Sequence, residues 1–209
     1  TFLRTAITGA GTINFNGGNH TFSGLFLPTG TVNFNSGTIT IANTMTPATI
    51  GAISSATVVF NASQSFPALT LNGGTLSGSG DVTITNAFSW SGGTMQAGGK
   101  LIVASGATAT LSGAVSKGLN RTLQNAGTVN YTGTALTFGF GFAVPGVVDN
   151  QAGGILNVNG NGSFSQSQTA AHAVNNAGTF NKSGAGTTTT FSGVTFNNTG
   201  TVNFTSGTL

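Results

Sequence analysis

The ten residues Gly200-Thr-Val-Asn-Phe-Thr-Ser-Gly-Thr-Leu209 match Gly30-Thr-Val-Asn-Phe-Asn-Ser-Gly-Thr-Ile39 at eight positions. Looser copies stand at Gly11-Thr-Ile-Asn-Phe15, Gly127-Thr-Val-Asn-Tyr131, Gly154-Ile-Leu-Asn-Val158 and Gly178-Thr-Phe-Asn-Lys182. A short unit of this kind cannot bury an apolar face alone. It gains a core only by stacking on copies of itself, so the recurrence points to a repeat architecture.

Several copies are preceded by a turn signal. Leu123-Gln-Asn-Ala-Gly127, Val174-Asn-Asn-Ala-Gly178 and Phe196-Asn-Asn-Thr-Gly200 lead into the phrase, and Val148-Asp-Asn-Gln-Ala-Gly153 is a version with one residue inserted. The turn residues Asn125, Asn150, Asn176 and Asn198 recur at nearly even intervals, and Gly11 and Gly30 stand slightly closer together. One repeat is therefore roughly 19 to 27 residues, within the solenoid range.

Inside each repeat the residues alternate with period two. Val202 and Phe204 share one face of Gly200-Thr-Val-Asn-Phe204, and Thr201 and Asn203 share the other. Asp81-Val-Thr-Ile-Thr85, Thr38-Ile-Thr-Ile41 and Thr108-Ala-Thr-Leu111 follow the same rule, with Asn-Gly, Ser-Gly or Gly-Gly turns between strands of roughly four to six residues. The pattern predicts an all-β fold, a three-faced parallel β-helix of about nine or ten rungs spanning residues 1–209 as one segment. Parallel crossovers favour right-handed winding, and stacking at about 4.8 Å gives a rod about 45 Å long. The competing architecture is a β-sandwich or barrel, which also has short strands at regular spacing. Val32, Phe34, Val129, Tyr131, Phe180, Val202 and Phe204 are the expected inward ladder. Asn14, Asn33, Asn130, Asn157, Asn181 and Asn203 are expected to form a column, which stacked amide hydrogen bonds would satisfy if it is buried.

Composition agrees with strand and turn. There are 34 glycines, and charged residues are 3% of the chain, where a typical protein has roughly 25%. Sixteen phenylalanines and 38% hydrophobic residues argue against disorder. The bases Arg4, Lys100, Lys117, Arg121 and Lys182 form no cluster that could follow a phosphate backbone, so nucleic acid is not an expected partner. No apolar run approaches the roughly 20 residues of a membrane helix, and the lack of cysteine excludes disulfides and thiolate metal sites.

Chemistry needs converging groups, and few exist. The chain has two acids, Asp81 and Asp149, separated by about three repeats. Even in one column they would stand roughly 14 Å apart, beyond the reach of a glycosidase pair. Both read as turn residues. His20 and His172 lie near opposite ends of the chain and read as exposed loop histidines. Gly78-Ser-Gly-Asp81 lacks the repeated acids of a calcium-binding nonapeptide, and Gly99-Lys-Leu101 fails as a phosphate loop. Leu27-Pro-Thr-Gly30 lacks a residue of the sortase signal, and the Asn-x-Ser/Thr sequons follow from composition. No catalytic residue, cofactor or metal ligand is assigned.

Two features admit a binding reading. Phe138-Gly-Phe-Gly-Phe142 interrupts the repeat and is either an oversized core strand or an apolar interface through Phe138, Phe140 and Phe142. The triplets Thr38/Thr40, Thr83/Thr85, Thr108/Thr110 and Thr132/Thr134 could share a face, although the β-propensity of threonine accounts for them equally well.

Residues 73–209, with Leu119-Asn-Arg-Thr-Leu-Gln-Asn-Ala-Gly127, Phe191-Ser-Gly-Val-Thr-Phe-Asn-Asn-Thr-Gly200 and the closing phrase, resemble the β-strand repeats of very large bacterial surface proteins. These are similar to filamentous-haemagglutinin and autotransporter-passenger β-helices. The resemblance implies a secreted, surface-exposed, non-catalytic rod used in adhesion or matrix building. It also implies that the segment belongs to a longer array. Self-association end to end or laterally, and surface glycans, are the expected partners. A carbohydrate- or ice-binding solenoid is the alternative.

Overall fold

The computed structural model describes residues 2–3, 7–45 and 49–209; Arg4 lies outside them. The chain is a β-solenoid of three faces, every named strand pair running parallel. Face A includes Leu101–Val103, Thr122–Asn125, Val147–Asn150, Ala173–Asn176 and Thr195–Asn198. Face B includes Thr108–Leu111, Thr128–Tyr131, Ile155–Val158, Thr179–Lys182 and Thr201–Phe204. Face C includes Lys117–Leu119, Ala135–Phe138, Ser163–Gln166 and Thr190–Ser192.

Alternation sets which side chains enter the core. One inward file climbs face B as Phe15, Phe34, Ile53, Leu71, Trp90, Leu111, Tyr131, Val158, Lys182 and Phe204, each in register with the next. Among the described residues this file marks ten rungs, shortest between Ile53 and Leu71 and longest between Tyr131 and Val158. Val32, Phe34, Val129, Tyr131 and Phe180 are buried. The expectation for the last rung needs correction. Val202 is half-buried and Phe204 is 57% exposed, because no described rung stacks above them. Fully burying an aromatic or aliphatic side chain contributes about 1.5–3 kcal/mol, so the ladders supply most of the favourable free energy.

The N-terminal half departs from the short strands expected of the repeat. Gln64–Gly78 and Val82–Gly98 run as continuous strands of 15 and 17 residues through all three faces. Glycine explains this at the corner between faces B and C. Gly93 has φ +85°, and a Cβ there would lie 2.3 Å from the Gly74 carbonyl oxygen of the rung below. Gly37 at the same corner has φ +88° and a similar approach to Gly18. Only glycine lets the backbone bend this closely while the strand continues, with a shift of pairing register at the corner. In the C-terminal half the corners carry longer loops, and the strands shorten to three or four residues.

Candidate functional site

The asparagines form two kinds of file with different environments. At the corner between faces A and B, Asn125 Nδ2 donates to Asn150 Oδ1 at 2.7 Å, Asn150 Nδ2 to Asn176 Oδ1 at 2.7 Å, and Asn176 Nδ2 to Asn198 Oδ1 at 2.6 Å. Asn125, Asn150 and Asn176 are buried, and each also donates to a carbonyl of the following rung, Ile155, Thr179 and Thr201 respectively. The turn asparagines are thus the internal staples of the corner.

The second file is the one the phrase itself predicts. Asn33 donates to Asn14, and on the later rungs Asn157 donates to Asn130, Asn181 to Asn157 and Asn203 to Asn181, at 2.8–2.9 Å. It lies on the outer surface of face B, half-buried to exposed. Its amides point toward earlier rungs, opposite to those of the corner file. Rungs between the two stretches replace the asparagine by smaller residues. Ala68, Thr70, Ala87, Ser89, Thr108 and Thr110 therefore line a shallow concavity of about 340 Å³ on face B.

Three cations missed by sequence reasoning are buried in the wall: Lys117, Arg121 and Lys182. Lys117 Nζ donates to the carbonyls of Val115 at 3.0 Å and Gly113 at 3.4 Å. Lys182 Nζ donates to Gly160 O at 3.1 Å, Ser183 O at 2.9 Å and Thr187 Oγ1 at 2.7 Å. Desolvation lowers the pKa of both lysines. Arg121 Nε donates to Gln96 O at 2.6 Å, and its Nη2 reaches Leu76 O and Gly78 O. Burial brings its pKa down to about 10, partly opposed by the charge of Asp81. No carboxylate hydrogen-bonds to these groups among the described residues, so they act as donors to main-chain carbonyls of the wall. The signal for Lys182 was present in the sequence, since it occupies the slot that Phe, Tyr or Val takes in other copies of the phrase.

The titratable groups singled out from the sequence are dispersed. Asp81 Oδ1 accepts from the Lys100 backbone N–H at 2.7 Å, and Asp149 Oδ2 accepts from Gln151 Nε2 at 2.6 Å. His20 Nε2 contacts Gly17 O at 2.8 Å. His172 corrects the expectation of an exposed loop residue. It is 2% exposed, its Nδ1 accepts from Gly146 N–H at 3.1 Å, and its Nε2 donates to Gln168 O at 2.7 Å. It ties the loop after Phe138 to the equivalent loop of the next rung. No group of three or more metal-ligating side chains occurs among the described residues.

The phenylalanine cluster is divided by the structure. Phe138 is a core residue with no exposed surface and offers no interface, contrary to the expectation, whereas Phe140 and Phe142 are 43% and 49% exposed. The threonine triplets do not share a face. Thr38/Thr40 lie on face C, Thr83 on face A and Thr108/Thr110 on face B, while Thr132/Thr134 follow face B at its corner. Instead, register assembles a different file on face C, in which Thr38, Thr57, Thr75 and Thr94 stand one above another. Compared with protein-family models, curated proteins and solved structures, the chain matches none.

Proposed function

We propose that this chain is a non-catalytic structural and adhesive rod displayed outside a bacterial cell, as its resemblance to filamentous-haemagglutinin and autotransporter-passenger repeats implies. The observation that carries the reading is the pair of asparagine files along the solenoid. They join successive rungs by side chains as well as by backbone, a device suited to holding an extended object together rather than to presenting a reactive centre. The low charge of the chain also leaves little repulsion against packing of rods side by side.

Antibodies raised against the purified chain should label intact cells of the source organism, and electron micrographs of the protein should show rods that associate end to end or laterally. Labelling only after cell lysis would sink the extracellular reading. Turnover of a polysaccharide by the purified chain would sink the non-catalytic one.

A second reading, carbohydrate binding, is favoured by the uncharged hydroxyl file on face C and the exposed Phe140 beside it.

A further inference from the structure

Face C carries one outward residue per rung in a single file: Thr38, Thr57, Thr75, Thr94, Gly118, Thr137, Ser165 and Ser192, each paired in register with the next. Hydroxyls occupy every position except Gly118. Backbone conformation does not require that glycine, which is absent from the positive-φ positions. Space does. A Cβ on Gly118 would lie 2.8 Å from Thr94 Oγ1, 2.9 Å from Phe140 Cβ and 3.0 Å from Phe140 Cδ1. Gly118 is therefore the seat of the Phe140 side chain, which replaces a hydroxyl in the file by an aromatic ring.

The ring is held in place and yet left uncovered. Gly139 N–H donates to Leu119 O at 3.1 Å, Phe142 N–H to Gly139 O at 3.2 Å, and Asn120 Nδ2 to Phe140 O at 3.0 Å. The buried His172 ring lies beneath Gly139 and fixes the far end of the loop through Gly146. Phe140 and Phe142 remain 43% and 49% exposed in a fold that hides most of its phenylalanines. An exposed aromatic pair on an ordered loop marks a recognition surface.

The neighbours define what is recognised. Thr94 and Thr137 stand in the file one rung, about 4.8 Å, on either side of Gly118. Ser116 Oγ lies 3.2 Å from Thr137 Oγ1, extending the hydroxyl surface sideways. Each hydroxyl both donates and accepts. The nearest cations are turned away, with Lys117 and Arg121 both buried on carbonyl oxygens. A pyranose has this same division, an apolar face of C–H bonds and a rim of hydroxyls. A linear chain of such units can follow a file that offers one hydroxyl per rung. We propose that face C binds an uncharged polysaccharide along the rod axis, with Phe140 as the stacking platform, Phe142 as its flank, and Thr94 and Thr137 as the hydrogen-bonding pair. This rests on the adhesive part of the proposed function and names its ligand class.

The test is calorimetric titration of the purified protein with cellohexaose, xylohexaose and laminarihexaose, with a heparin hexasaccharide as the charged comparison. At least one neutral hexaose should bind and the heparin fragment should not. Phe140→Ala should weaken binding about tenfold, while Phe140→Tyr should retain it. Thr137→Val, which keeps shape and removes the hydroxyl, should weaken it about three- to tenfold; thermal melts of all three variants should match the parent. Failure of all three neutral hexaoses to bind would overturn the proposal, as would binding indifferent to both Phe140→Ala and Thr137→Val. Thermal hysteresis lost in Thr57→Lys, without any saccharide binding, would reassign the file to ice. A protein that labels cell surfaces but binds no hexaose refutes this inference alone, and one that binds hexaoses but stays inside the cell refutes the rod reading alone.

Discussion

Asn150 Nδ2 donates to Asn176 Oδ1 across 2.7 Å, and both side chains are buried at one corner of the solenoid. The same Nδ2 donates to Thr179 O at 3.1 Å, and Asn150 Oδ1 accepts from Asn125. Asn150 thus bonds to the rung on either side of its own, in surroundings where water cannot take over.

Asn150→Ala should accordingly destabilise the protein by about 2–4 kcal/mol, because it leaves buried amide and carbonyl groups unmatched. Asn157→Ala removes two bonds of the same length from the outer file of face B, where water can replace them. Its cost should be only about 0.5–1 kcal/mol. Urea denaturation of the two variants measures the difference, and equal losses would show that burial does not set the value of these ladders.

Glycine corners separate backbone strain from steric conflict. Gly153 has φ +86° with open space where a Cβ would stand, while Gly93 has φ +85° with the Gly74 carbonyl oxygen 2.3 Å from that point. Gly153→Ala should therefore cost only the left-handed conformation, about 1–2 kcal/mol. Gly93→Ala adds displacement of the rung below and should cost at least about 3 kcal/mol. Similar thermal midpoints for the two variants would refute the steric account of why strands run unbroken through this corner.

The legible part of the fold was the part that repeats. The phrase at Gly11, Gly30, Gly127 and Gly200 specifies face B, since Thr-x-Asn-aromatic already states which side chains point in and which point out. The turn asparagines were equally readable as corners. Their burial was not, because a turn asparagine ahead of a glycine looks the same whether its amide faces water or the rung above. Face C was hidden for another reason. Thr38, Thr57, Thr75 and Thr94 become neighbours only once the lengths of their rungs are known, and the rungs of Thr57, Thr75 and Thr94 lack the phrase. The Thr-x-Thr triplets, visible in the sequence, were separated by the same register. His172 and Phe140 owe their environments to loop packing between rungs, which period-two alternation does not encode.

Trp90 offers a check on core packing. It has no exposed surface, and its Nε1 has no hydrogen-bond partner. Trp90→Phe removes an orphaned N–H whose burial costs about 1–3 kcal/mol. It also opens a partial cavity between Leu71 and Leu111, at a cost of similar size. The two nearly cancel, so the variant should unfold within about 1 kcal/mol of the parent. A loss above about 3 kcal/mol would mean that the indole volume, not the N–H, decides this position. As the chain has a single tryptophan, its emission should shift to longer wavelength in urea together with the loss of β-sheet circular dichroism.

The buried lysines give a pH dependence whose sign follows from desolvation. Lys117 and Lys182 have folded pKa values lowered from 10.5, so on raising the pH they lose their protons in the folded chain before the unfolded one does. Where the unfolded state holds more protons, stability rises with pH. Resistance to urea should therefore increase as pH climbs from neutrality toward 10. Tyr131 works against this above its unperturbed pKa of 10, because burial raises its folded value and unfolding then releases a proton. The measurement belongs below that point. Denaturation midpoints for the parent and for Lys117→Met/Lys182→Met, taken at intervals up to pH 10, should diverge, with the parent gaining more stability than the double variant, in which Arg121, brought down to about 10, still contributes. Parallel curves would mean that both ammonium groups are as well solvated in the fold as in the unfolded chain, and that the carbonyls of Val115, Gly160 and Ser183 do not hold them in a dry corner.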